Sequence, residues 1–162
     1  MPVGGRAYSP AWRDAPTFVA TVGGIGLLPG APGSWGSLAA LPAAWLLLEH
    51  FGPWGLGVAA IVVFALGWWA SASVTQRTGD DDPGPIVIDE VAGQFVALLP
   101  AALDFWQFAL GFVLFRIADI VKPWPASWAD RRLKGGFGVM ADDAVAGVYA
   151  LAGVWLAREF LA

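Results

Sequence analysis

The sequence predicts an all-α fold, a small polytopic membrane bundle of four to five helices that follows a Gly/Pro-rich N-terminal segment. The 162 residues are 57% hydrophobic, with a mean hydropathy of +0.63, which is more apolar than an ordinary soluble protein. Only 14% of the residues are charged. Apolar runs alternate with short polar loops, and this length suits a single domain over residues 1–162.

Composition also excludes several classes of function. The net charge of −4 and the pI of about 4.7 argue against a nucleic-acid partner. The chain has no cysteine, which excludes disulfides and thiolate nucleophiles, and His50 is its one histidine. Because Arg6, Arg13 and Asp14 punctuate the first 20 residues, we expect no cleavable signal peptide, and the spans themselves direct the chain to the membrane.

The first half of the chain predicts two helices after the Gly/Pro-rich residues 1–37. The first helix, over 38–49, is apolar but short for a bilayer that needs roughly 20 residues. The second, over 54–70, has no charge and carries tryptophan at both ends, as in an aromatic belt. A polar loop at 71–85 follows.

The stretch 86–121 admits two interpretations. One span over 91–115 would bury Asp104 in the membrane at a cost of several kcal/mol. A hairpin that turns near Pro100 would instead let Asp104 cap the second helix, and we favour the hairpin. A polar loop at 122–142 and a last helix at 143–160 complete the bundle.

The hairpin determines the expected topology. It places the N-terminal segment and the loops 71–90 and 122–142 on one side, opposite residues 50–53 and 100–105. Since that side carries most of the lysine and arginine, we expect it to face the cytoplasm.

Four segments on that side could carry chemistry, and each also has a plain structural interpretation as a connector, an acidic first turn, an ion pair or a positive-inside cluster. They are TVGGIGLLPGAPGSWGSLAALP (21–42), PIVIDEVAGQ (85–94), FRIADIVKPWP (115–125) and DRRLKGGFGVMADDAVAG (130–147).

The Gly-rich first segment is suited to an anion. Its glycines, Gly33 among them, allow the backbone to approach a ligand closely. Ser34 or Ser37 could cap the following helix and leave its N-terminal amides free for a phosphate. The Walker A spacing is absent, so this is not a nucleotide-binding P-loop.

Three charges interrupt the apolar third segment. On a helix, Asp119 lies one turn from both Arg116 and Lys122, so we expect it to hold both cations, and Pro123 then ends the helix. Ionisable groups at membrane depth are costly and usually functional.

Together the segments predict a metal-and-phosphate site at the membrane edge. Five carboxylates offer the hard oxygen ligands that Mg²⁺ prefers, and we assign them as catalytic and metal-binding residues: Asp89, Glu90, Asp119, Asp142 and Asp143. The residues assigned to the phosphate are Gly33, Ser34, Ser37, Arg116, Lys122 and Lys134. The run Asp80–Asp82 is expected to stand apart, because nothing apolar anchors its loop.

These four segments closely resemble the signature segments of the phosphatidylglycerophosphatase A family, in the family's order over roughly residues 18–150. The resemblance implies a Mg²⁺-dependent phosphatase of the bacterial cytoplasmic membrane that converts phosphatidylglycerophosphate to phosphatidylglycerol. It implies that the motif positions are those of Asp89, Glu90, Asp119, Lys122, Asp142 and Asp143. Ser34 stands where threonine is expected, which keeps the hydroxyl.

Two alternatives belong to other classes. A small transporter or ion-binding protein would carry acidic groups deep within several spans, whereas here they cluster at helix ends on one side. A CDP-alcohol phosphotransferase needs a spaced Asp pattern that is absent. Either an activated water or a carboxylate nucleophile is compatible with these residues, and the oligomeric state is left open.

Overall fold

The computed structural model describes residues 14–161 of the chain. This part is all-helical, which confirms the predicted fold class. The helices are α1 (Ala15–Ala20), α2 (Pro32–Thr78), α3 (Ile88–Ala97), α4 (Phe105–Val121), α5 (Ala126–Arg132) and α6 (Gly135–Leu161), with a 3-10 turn at Ile25–Leu27 between α1 and α2. The predictions that concern Arg6, Arg13 and the rest of residues 1–13 lie outside the described residues.

Helix α2 reverses direction at Gly52, so the two helices predicted for this region are present as two arms, 32–51 and 53–78. Gly52 has φ 64° and ψ −169°, a conformation that favours glycine. A Cβ at Gly36 would lie 2.8 Å from the Val87 Cβ, and a Cβ at Gly67 would lie 3.1 Å from the Ile88 Cγ2. A straight helix would separate residues 36 and 67 by about 46 Å, so the arms run antiparallel.

The helices α3 and α4 form the predicted hairpin. The Asp104 side chain caps α4 by accepting a hydrogen bond of 3.0 Å from the backbone N–H of residue 107. Leu98 packs where Gly111 leaves space near the turn, and at the other end Arg116 lies beside Glu90. The single span over 91–115 is therefore wrong, because its middle is the turn between these helices.

The last third of the chain differs from its prediction. The expected loop at 122–142 contains α5, and α6 begins at Gly135 rather than at residue 143. Three glycines in the first turns give α6 a low intrinsic helix propensity there, which hid the helix start in the sequence. Tertiary contact compensates, since a Cβ at Gly136 would lie 2.6 Å from the Cα of Ala72. The glycine lets α6 pack directly on the backbone of α2.

Within residues 14–161, two helices are long and apolar enough to cross a bilayer, namely α2 and the Gly135–Phe160 part of α6. Large apolar side chains cover the outside of these helices, including Trp54, which is 88% exposed, and Ile61, which is 71% exposed. A surface of this kind indicates a membrane protein.

The two ends of the bundle differ in chemistry. Leu48, Leu56, Leu98, Phe108 and Val154 form an apolar cluster near the turns at Gly52 and Pro100. The opposite end carries the start of α2, the start of α3, the end of α4 and the start of α6. The four chemically suggestive segments therefore meet at one end of the fold.

Candidate functional site

The first two carboxylates are held in place by the apolar triplet that precedes them. Ile86, Val87 and Ile88 are buried, and the Val87 N–H donates a 2.9 Å hydrogen bond to the carbonyl of Ala20. This anchors the start of α3 between α1 and α2. Asp89, in the first helical turn, is consequently 8% exposed, and its neighbour in that turn is Glu90.

A third carboxylate, that of Asp143 on α6, lies beside the first two because glycines let α6 pack directly on α3. A Cβ at Gly93 would stand 2.7 Å from the Asp143 carbonyl oxygen, and a Cβ at Gly147 would stand 2.5 Å from the Gly93 carbonyl oxygen. One carboxylate oxygen each from Asp89, Glu90 and Asp143 lies within 4.8 Å of the other two. We call these three residues the carboxylate triad.

The triad fits a divalent cation. Asp89 Oδ1, Glu90 Oε2 and Asp143 Oδ2 are buried and have no hydrogen-bond partner among the described residues. Two buried carboxylates and a partly buried one this close repel one another strongly in their charged forms unless a positive charge lies between them. Their donor set consists of hard oxygens, which suits Mg²⁺.

Arg116 and the start of α2 form an anion-binding corner next to the triad. Arg116 Nη1 lies 2.5 Å from Asp119 Oδ2 and 3.8 Å from Glu90 Oε1. A Cβ at Gly33 would collide with Glu90 Oε1 and would lie 3.0 Å from Arg116 Nη1. Glycine lets the first turn of α2 come this close without displacing the Glu90 carboxylate. The free amides and positive dipole end of that turn, together with the guanidinium, suit a phosphate.

The expectation that Ser34 or Ser37 caps α2 is wrong. The helix begins at Pro32, whose fixed φ suits the first helical position, and the N-cap is Ala31 without a side-chain cap. Ser37 is fully buried, and its Oγ donates a 2.9 Å hydrogen bond to the Gly33 carbonyl oxygen. Ser34 lies half-buried within the first turn. Ser37 therefore supports the turn that holds Gly33.

The expectation that Asp119 holds Lys122 is also wrong. Helix α4 ends at Val121, and Lys122 adopts a left-handed conformation with φ 48°, which takes it off the helical face shared by Arg116 and Asp119. Its Nζ lies 2.5 Å from Asp130 Oδ1 and 2.6 Å from Asp142 Oδ2.

This setting keeps Lys122 charged. Partial burial lowers the pKa of the Lys122 amine, but the hydrogen bonds from its Nζ to Asp130 and Asp142 outweigh that effect and hold the pKa above its usual range. The charged amine bridges a carboxylate of α5 and a carboxylate of α6 at the end of α4.

Lys134 lies apart from the triad. It is 61% exposed on its side chain and pairs loosely, at 3.5 Å, with Asp81. The run Asp80–Asp82, which the sequence predicted to stand apart, contributes two residues to a cleft that Asp130 and Asp142 also line. Asp130 had no signal in the sequence, because its role as a partner of Lys122 depends on how α5 folds back.

The structure thus places most of the predicted site residues in two adjoining groups, joined by the unpredicted Asp130, whereas Ser34 and Lys134 belong to neither. The first contains the triad with the anion-binding corner, and its members are Gly33, Ser37, Asp89, Glu90, Arg116, Asp119 and Asp143. The second contains Lys122, Asp130 and Asp142. Because Asp142 and Asp143 are consecutive in α6, the same turn of helix contributes one carboxylate to each group.

Comparison with known proteins gives a consistent family. A sequence model of the phosphatidylglycerophosphatase A family matches residues 18–158. A phosphatidylglycerophosphatase A of Escherichia coli K12 is 43% identical over 127 residues, covering 77% of this chain and 73% of the relative. One of Haemophilus influenzae is 39% identical over 138 residues, covering 84% and 85%.

A further relative carries a different name. A Bacteroides thetaiotaomicron protein, provisionally named a phosphatidylinositol-3-phosphatase, is 34% identical over 151 residues and covers 88% of this chain and 93% of its own. No solved structure matches the chain.

Proposed function

Since the chain belongs to the phosphatidylglycerophosphatase A family and is a phosphoric monoester hydrolase, we propose that it hydrolyses phosphatidylglycerophosphate to phosphatidylglycerol and phosphate, with Mg²⁺, as a step in phospholipid biosynthesis. We further propose that it resides in the bacterial cytoplasmic membrane with the site facing the cytoplasm. The bunching of lysine and arginine around residues 116–134 supports that orientation.

The convergence of Asp89, Glu90 and Asp143 beside Arg116 is the observation that carries the proposal. Buried carboxylate oxygens without partners among the described residues favour a bound cation, and an arginine next to a helix N-terminus favours a phosphate. A metal-assisted phosphomonoesterase needs a cation-binding group and a phosphate-binding group within one site. The triad and Arg116 lie together at the end of an apolar bundle, where a lipid head group would be.

Each group of residues then has its own task. Asp89, Glu90 and Asp143 would hold the cation. Arg116, with the first-turn amides of α2, binds the phosphoryl oxygens and orients the terminal phosphate. The chemistry that Mg²⁺ supplies when bound is positive charge toward the phosphoryl oxygens and a lower pKa for water.

In the overall reaction, a water oxygen bonds to phosphorus and the bond from phosphorus to the glycerol oxygen breaks. One proton of that water passes to the glycerol oxygen, which leaves as the hydroxyl of phosphatidylglycerol, and the other proton stays on the released phosphate. Arg116 stabilises the charge that develops on the phosphoryl oxygens, and Asp119 holds its guanidinium in place at 2.5 Å. Lys122, held by Asp130 and Asp142, places its ammonium group at the entrance, where it can exchange one carboxylate partner for a phosphoryl oxygen.

Phosphate release from detergent-solubilised protein tests the proposal. Phosphatidylglycerophosphate and phosphatidylinositol 3-phosphate should be compared, each with Mg²⁺ and with EDTA. We expect metal-dependent release from the first, loss of release in Asp89→Asn, and normal release in Glu49→Gln, an exposed carboxylate outside the site. Hydrolysis that persists in EDTA, or that Asp89→Asn leaves intact, would contradict the metal assignment. Phosphate release from the inositol lipid alone would overturn the proposed substrate assignment.

A further inference from the structure

An apolar groove of about 420 Å³ runs along the outside of the bundle between the first arm of α2 and α4. Leu38, Leu41 and Trp45 line it from α2, and Ala109, Phe112 and Val113 are among the residues that line it from α4. Its walls carry no charged side chain.

The groove and the anion-binding corner lie along the same two helices. Gly33, Ser37, Leu41 and Trp45 form one i, i+4 row of α2, so the row that starts beside Arg116 continues as the groove wall. On α4, Val113 lies one turn before Arg116, on the same side of the helix. The polar corner and the apolar groove are therefore neighbours, about one helical turn apart.

Two aromatic rings join the walls of the groove. The ring centroids of Trp45 and Phe108 lie 5.0 Å apart, which joins α2 to α4 at that point. From Leu38 to Trp45, the part of α2 that lines the groove, the helix rises about 10 Å, roughly a third of the 30 Å hydrocarbon thickness of a bilayer. The groove thus has room for part of a hydrocarbon chain in one leaflet.

The groove is open sideways, toward the surrounding bilayer. Leu38 is 41% exposed and Val113 is 48% exposed, so a hydrocarbon chain can enter from the membrane without leaving it. A lipid whose phosphate lies at Arg116 would have its acyl chains directly beside this opening.

We infer that this groove binds an acyl chain of the lipid phosphate substrate and so selects long-chain lipids over short-chain ones. The inference rests on the proposed function, because it places the substrate phosphate beside Arg116 and the triad. Its new content is the location of the hydrocarbon-binding site, between Leu41 and Trp45 on α2 and Val113 on α4.

The test compares kcat/KM for a dioleoyl and a dihexanoyl phosphatidylglycerophosphate in mixed micelles of fixed composition. Val113→Trp should fill the groove and lower the long-chain to short-chain ratio at least tenfold. Val62→Trp is the matched control, since Val62 is 49% exposed on α2 away from the groove, and it should keep the wild-type ratio. Ala109→Phe fills the groove from its floor and should lower the ratio in the same way.

The outcomes separate this inference from the proposed function. If wild type hydrolyses both lipids and the groove variants keep its ratio, the inference is overturned while the function stands. If wild type releases phosphate from neither lipid, the function itself fails. A change of oligomeric state in Val113→Trp, measured by light scattering, with an unchanged ratio would assign the groove to a second copy of the chain and also overturn the inference.

Discussion

Lys122 Nζ lies 2.6 Å from Asp142 Oδ2, which ties the residue that caps α4 to the second turn of α6. The two residues are 20 positions apart in the sequence. The bond brings the end of the α3–α4 hairpin to the turn of α6 that also supplies Asp143 to the triad. A loss of this contact should therefore affect the reaction as well as the fold.

The left-handed backbone of Lys122 separates these two effects. Lys122→Gly and Lys122→Ala should both lower the rate by about 10²–10³, because each removes the ammonium group that we propose binds a phosphoryl oxygen. Lys122→Gly should be the more stable of the two by about 1 kcal/mol, since glycine adopts φ 48° without strain. Initial rates and thermal unfolding in one detergent measure both quantities.

Arg131→Ala is the control for Lys122, because Arg131 is exposed in the last turn of α5. It should keep a near-normal rate. Near-normal rates in both Lys122 variants, with folded protein, would show that the lysine is structural.

The triad predicts a link between metal binding and stability. Asp143→Asn removes one of three mutually repelling carboxylates, so the metal-free protein should unfold at a higher temperature than wild type. The same variant should lose the stabilisation that Mg²⁺ gives to wild type, which is about 2.7 kcal/mol at a hundredfold excess over Kd. Thermal unfolding with and without Mg²⁺ measures this without reference to activity. Equal stabilisation of both proteins by Mg²⁺ would remove Asp143 from the metal site.

Gly33 predicts a steric effect on the anion-binding corner. The added Cβ of Gly33→Ala would displace the Glu90 carboxylate and crowd Arg116, so kcat/KM should fall about 10-fold to 100-fold, in line with small misplacements at reacting centres. Helix propensity favours alanine, so the fold should be retained. Gly84→Ala is the control, because a Cβ there meets nothing within 4 Å. Equal kcat/KM in the two variants would refute the close approach.

Asp104 predicts a purely structural effect. Asp104→Ala removes the hydrogen bond to the backbone N–H of residue 107 and should lower the free energy of unfolding by about 1 kcal/mol. The rate per folded molecule should not change, because the cap lies at the end of the bundle opposite the triad. Denaturation curves together with rates corrected for the folded fraction check both statements.

The topology prediction is tested with single cysteines, since the natural chain has none. Asp80→Cys should react with a membrane-impermeant thiol reagent from the cytoplasmic face, and Leu103→Cys, beside the turn, from the opposite face. Leu103 is used because it leaves the Asp104 cap intact and is 44% exposed. Labelling of both from one face would exclude the proposed orientation.

The sequence by itself determined the class of the protein and the segments that form its site. An apolar composition with few charges indicates a membrane protein. A helix satisfies its backbone hydrogen-bonding groups internally within a membrane, and long apolar runs mark where the helices lie. The cap at Asp104 was readable because N-capping depends on local geometry. The acidic and basic residue types were likewise readable as groups that bind a cation and a phosphate.

Tertiary structure alone decided which of those residues meet. Asp143 joins Asp89 and Glu90 only because glycines let α6 lie on α3, a contact between segments about 50 residues apart. The partner of Lys122 depended on one backbone angle at the end of α4, where a left-handed residue redirects the side chain to Asp142. Local sequence patterns specify which face of a helix is apolar and where the helix is capped. The close approach of two helices depends on packing across the whole bundle, which no single segment encodes.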